Sequence, residues 1–126
     1  MTNANKAKGD RAERAARDFY RANGFPGTER TRAGYARDHG DLHLAPGAIA
    51  QVKDCRTLRW QEWLSGLAEQ KADARADAAW LVVKRPGQGD PGEWLAVMTV
   101  AEHARLLRAA GWGTPIDDDL PEVSHG

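Results

Sequence analysis

Apolar residues near the N-terminus recur at helical spacing. Ala12, Ala15, Ala16, Phe19 and Tyr20 form one stripe in an Ala- and Arg-rich segment. The pattern predicts a helix over Asn5–Asn23, closed by Gly24, which tolerates the left-handed backbone of a helix end. Thr28–Arg32 reads as a short polar edge strand, followed by a Gly- and Arg-bearing loop, Ala33–Gly40. The period then changes to two. Asp41–Leu44 alternates polar with apolar, Pro46-Gly47 marks a turn, and Ala48–Lys53 is the returning strand of a hairpin. A second helix is expected from Thr57 to about Ala76, with Trp60, Leu64 and Leu67 along one face. Trp80–Lys84 has the composition of a buried strand, Arg85–Gly92 that of a loop, and Glu93–Met98 that of a last strand. Thr99-Val-Ala-Glu102 has the form of a capping box and starts a helix that ends at Gly111. The order α-β-β-β-α-β-β-α implies an α/β fold, a mixed sheet flanked by helices.

The 126 residues suit one domain over 1–113, with a polar, acidic tail over 114–126 expected to be loosely held. The single cysteine, Cys55, excludes an internal disulfide framework. The apolar runs, such as 78–83, are too short to cross a bilayer, and the first residues carry no apolar signal segment, so a soluble, cytoplasmic protein without membrane contact is expected. The formal net charge is zero but unevenly spread: residues 1–60 hold 12 Lys/Arg against 7 Asp/Glu, and residues 61–126 hold 6 against 11. A neutral total therefore leaves room for a basic, phosphate-binding face, and equally for chance segregation plus an acidic tail.

Alternation along the hairpin assigns its chemistry. Residues two apart on a strand share a face, so Gln51 and Lys53 point one way and Val52 the other. If Leu42, Leu44, Ala50 and Val52 enter the core, Asp41, Gln51 and Lys53 converge on the opposite side. A carboxylate oxygen, an amide oxygen and an ammonium are a set suited to phosphodiester hydrolysis. Oxygen ligands hold magnesium or manganese, and a lysine orients or stabilises the attacking hydroxide. The same residues also fit a polar surface strand. Glu13 lies beside the apolar stripe of the first helix, where it either reaches the same cluster or forms a helix ion pair with Arg17.

The series Lys8-Gly9-Asp10-Arg11-Ala12-Glu13-Arg14, Gly24-Phe25, Gly40-Asp41-Leu42, Gln51-Val52-Lys53 and Trp80-Leu-Val-Val-Lys84 resembles, in order, the archaeal and phage Holliday-junction resolvases of the PD-(D/E)XK nuclease superfamily. The stretch Arg85–Met98 looks most like the actinobacteriophage members, and the likeness runs over roughly residues 6–110. It implies a restriction-endonuclease-like sheet and a magnesium- or manganese-dependent endonuclease. Glu13, Asp41, Gln51 and the Val52 carbonyl would be the metal ligands and Lys53 the catalytic lysine, with Glu69 or Gln70 as a further active-site group or a solvated helix face. The implied substrate is branched DNA, probed by a homodimer. Phosphate contacts would come from Lys6, Lys8, Arg11, Arg14, Arg30, Arg32 and Arg37, with Lys53, and extend to Lys84 and Arg85.

One departure stands out. The family carries Glu or Asp where this chain has Gln51, whose amide oxygen brings no charge. A natural variant, a weakened nuclease and an engineered inactivation all fit. The alternatives are a same-fold nuclease for nicks, flaps or duplexes, a DNA-binding module that no longer cuts, and a structural partner without DNA affinity. His39, Asp41 and His43 also form a conceivable transition-metal site at strand spacing, without a fourth ligand. Cys55 shows no activating context, and Gly87-Gln-Gly89 reads as a hairpin loop.

Overall fold

The computed structural model describes residues 2–30 and 41–116. Helix α1 spans Thr2–Ala22, and strands β1 (Glu29–Arg30), β2 (Asp41–Ala45) and β3 (Ala48–Lys53) follow. Helix α2 (Trp60–Ala74) leads to β4 (Ala78–Val83), β5 (Leu95–Val97) and helix α3 (Val100–Ala109). This is the expected element order. The described part of the tail is exposed, and positions 117–126 fall outside the described residues.

The five strands form one sheet in sequence order, β1-β2-β3-β4-β5. β1–β2 and β2–β3 are antiparallel, β3–β4 parallel and β4–β5 antiparallel. The parallel pair needs a crossover, and α2 supplies it. Gly47 makes the β2–β3 turn at φ 85°, and its carbonyl accepts from the amides of Asp77 and Ala78 at 2.7 and 2.9 Å. That contact sets the start of β4 at Ala78, two residues before the strand expected from sequence.

Each face of the sheet has its own core. On one side Ala12 and Ala16 of α1 pack against Leu42, Leu44, Ala50, Val52 and Val82, with Trp94 closing the cluster. On the other, Trp63 and Leu67 of α2 pack against Ile49, Ala79, Leu81 and Val83. The alternation expected for the hairpin therefore holds. The α2 stripe is shifted, because Trp63 is buried, Leu64 half-buried and Trp60 exposed at the rim with its ring 5.5 Å from that of Trp63.

The helix ends follow their chemistry. Gly24, just past α1, takes φ 104°, as its position at a helix end predicts. Thr99 Oγ1 accepts from the Glu102 amide at 3.1 Å and caps α3. The Glu102 carboxylate meets Lys71 of α2 at 2.8 Å instead of returning to the cap, which ties α3 to α2. The Arg85–Gly92 loop joins the antiparallel pair β4–β5, with Trp94 Nε1 donating to the Gln88 carbonyl at 2.7 Å. No helix among the described residues is long and apolar enough to cross a membrane.

Candidate functional site

The β2–β3 register sets Asp41 directly opposite Gln51 and Leu42 opposite Ala50. Directly opposed residues of an antiparallel pair lie on the same face, so position 41 shares the α2 face with Gln51, and Lys53 follows two residues on. Leu42, Ala50 and Val52 are buried against α1, which holds that alternation in place. A one-residue slip would invert every one of these side chains.

Helix α2 completes this face. Gln51 is half-buried, and its Nε2 donates to Oε1 of Gln70. The Lys53 ammonium lies 5.4 Å from the centre of the buried Trp63 ring. A cation over an indole face gains about 0.5–1 kcal/mol when exposed and more when desolvated. Lys53 is thus directed by the Trp63 ring. Glu69 is exposed on the same helix.

Glu13 is placed differently from the expected cluster. It belongs to α1, which covers the opposite face of the sheet, and its carboxylate binds the Arg30 guanidinium at 2.8 Å. Asp10 binds the same guanidinium at 2.9 Å. Burial raises the Glu13 pKa, and the Arg30 hydrogen bond and charge oppose that shift. The alternative partner, Arg17, pairs with Asp18 at 2.9 Å. The physical reason is steric: Ala12 and Ala16 allow α1 to lie close on the Leu42–Val52 face, and the neighbouring Glu13 then meets Arg30, which pairs with Leu42 in register.

The basic residues divide in the same way. Arg30 is engaged by two carboxylates, with its side chain 30% exposed. Lys6, Arg11 and Arg14 are exposed along α1. Lys8 and Lys84 flank Asp54, each at 3.8 Å. Arg85 is exposed and donates to the Glu93 carbonyl at 3.1 Å. Arg32 and Arg37 lie outside the described residues. So does His39 of the transition-metal alternative; His43 is exposed, and no group of three His, Cys, Asp or Glu able to hold a metal occurs among the described residues. Cys55 is exposed and free.

Two features escaped the sequence reading. The Trp63–Lys53 contact hides because Trp63 shares a helical stripe with Trp60 and Leu64, and periodicity does not say which indole meets the strand. The Lys8–Asp54–Lys84 contacts join three distant segments. Only the alternation that turns Asp54 away from Lys53 hinted at them.

The Asp41 side chain lies outside what the structure describes, and a cation on this face would be offered the oxygen donors expected from sequence at positions 41, 51 and 52. Such donors would suit magnesium or manganese and not zinc, and a single carboxylate would make binding weak. Comparison with protein-family models, curated proteins and solved structures finds no match to this chain.

Proposed function

We propose that the chain is a metal-dependent DNA endonuclease with a restriction-endonuclease-like fold, acting on branched DNA. The observation that carries this reading is the strand register. It opposes Asp41 to Gln51 and leaves Lys53 on the same face, at the carboxyl end of the parallel strands. Open α/β sheets bind ligands at such ends.

In this reading Asp41, Gln51 and the Val52 carbonyl would hold magnesium or manganese, which when bound would polarise the phosphate and acidify a water. Lys53, restrained over Trp63, donates to the attacking oxygen or a phosphate oxygen. Gln70 fixes the rotamer of Gln51, so that one end of the amide is spent on the helix and the other is directed to the site. Glu13 stands in the α1 ion pair and acts through the placement of Arg30 and β1. Exposed Lys6, Arg11 and Arg14 supply sequence-independent phosphate contacts. A two-fold dimer would present two such sites to the paired strands of a four-way junction.

The test is cleavage of a labelled four-way junction, in manganese, beside a linear duplex of matched sequence. Preferential cutting of the junction supports the reading. Equal cutting of both moves the assignment to a general duplex nuclease. Salt-sensitive binding without cutting, unchanged by Gln51→Glu, leaves a binding module.

A further inference from the structure

Asp54 stands one residue past β3, turned away from Lys53, and its carboxylate is the meeting point of α1 and the strand ends. Lys8 lies 3.8 Å from Oδ1 and Lys84 lies 3.8 Å from Oδ2. The Asp54 side chain is 14% exposed, whereas those of Lys8 and Lys84 are 41% and 35% exposed. The carboxylate is therefore the back of the cluster and the ammonium groups its front. At 3.8 Å both ammonium groups are beyond hydrogen-bonding distance of Asp54, so the pairing orients them without using their donors on it. Lys84 is further restrained by the Trp94 ring, 5.6 Å from its Nζ, and its amide donates to the Lys53 carbonyl at 2.9 Å. Two lysines against one carboxylate leave one net positive charge, directed outward.

Resting on the DNA-acting reading above, we infer that Lys8 and Lys84 together grip a single backbone phosphodiester, with Asp54 as the positioning residue that sets their spacing. One carboxylate oxygen faces each ammonium. A phosphodiester offers the same arrangement through its two non-bridging oxygens, with shorter, charge-assisted hydrogen bonds. The gripped phosphate lies beside the Lys53 face across the end of β3. It is a neighbour of the phosphate that is cut, and it fixes the register of the strand.

Salt dependence of junction binding, measured without divalent metal, tests this. Each neutralised phosphate contributes a slope of about one in log K against log salt. Two lysines on one phosphate predict that Lys8→Gln and Lys84→Gln alone change the slope little and that the double variant lowers it by about one. Independent surface contacts predict about one for each single variant and about two for the double, and that result overturns the inference. Asp54→Asn should convert the first behaviour into the second; a slope pattern untouched by Asp54→Asn removes its positioning role. Titration of a dinucleoside monophosphate and of inorganic phosphate, followed at the Lys84 amide and the Trp94 indole by NMR, separates the sources. A response to the diester, lost in the double variant, supports the grip even where the junction is not bound, in which case only the DNA-acting reading fails. A response to inorganic phosphate alone overturns the backbone assignment, and no response to either anion with unchanged slopes overturns the site.

Discussion

Replacing Gln51 by Glu tests the cation site without removing any residue from it. In the absence of metal the change should be costly. The Gln51 Nε2 donor disappears, but the Gln70 amide can turn so that its own Nε2 donates to the new carboxylate, and this contact changes stability little. A second carboxylate also stands directly across from position 41. Cross-strand partners place their Cβ atoms about 5 Å apart, and two like charges at that separation repel by about 2–3 kcal/mol at an effective dielectric of about 20–40. The variant should therefore be about 2–3 kcal/mol less stable than the parent in a chelator-containing buffer. A divalent cation reverses the sign of the second contribution. A ligand at a hundred times its Kd stabilises by about 2.7 kcal/mol, so millimolar magnesium should restore most of the loss while stabilising the parent far less. Urea unfolding with and without magnesium reads both quantities. Equal stability of the two proteins in chelator, or equal stabilisation by magnesium, would refute the placement of Gln51 among the ligands.

Three further outcomes are expected. Burial raises the pKa of Glu13 above the ordinary glutamate value, so the folded state holds this proton more tightly than the unfolded chain. Its contribution is then fully present below the unfolded pKa and is lost as pH rises through the folded one. Urea unfolding across that window should show Glu13→Gln gaining on the parent as pH increases, and the opposite trend would mean that Arg30 outweighs burial. Leu42, 0% exposed between α1 and the sheet, should cost about 2–5 kcal/mol when changed to Ala, and a loss under 1 kcal/mol in the same assay would contradict its core position. Trp63→Leu should lower the cleavage rate several-fold, while Trp63→Phe retains most of it; equal losses would reduce Trp63 to packing.

The hairpin was the most legible part of the molecule. Period-two alternation over 41–44 and 48–53, with Pro46-Gly47 between, leaves one register that buries Leu42, Leu44, Ala50 and Val52 together, and this sets Asp41 against Gln51. Glu13 was not legible in the same way. A helical stripe tells which side of a helix is buried, not which face of the sheet receives it. The narrow Ala12–Ala16 surface selected the face away from Lys53. The same limit applies to α2, where four apolar residues share a stripe and only the packing against Leu81 and Val83 favours Trp63 over Trp60. Ala78 and Ala79 carry little strand preference of their own, and the parallel pairing with Ala48 and Ile49 draws them into β4. Asp54 acquires its partners from residues 46 positions before it and 30 after it, a distance no local pattern spans.

Crystals grown with manganese, examined by anomalous scattering, interrogate the shared face of β2 and β3 at atomic scale. The expected result is one manganese ion with the Asp41 carboxylate and the Gln51 amide oxygen among its ligands, and the Lys53 ammonium close by but outside the coordination sphere. Manganese bound elsewhere, with nothing between those two strands at saturating concentration, would contradict the nuclease assignment at its root.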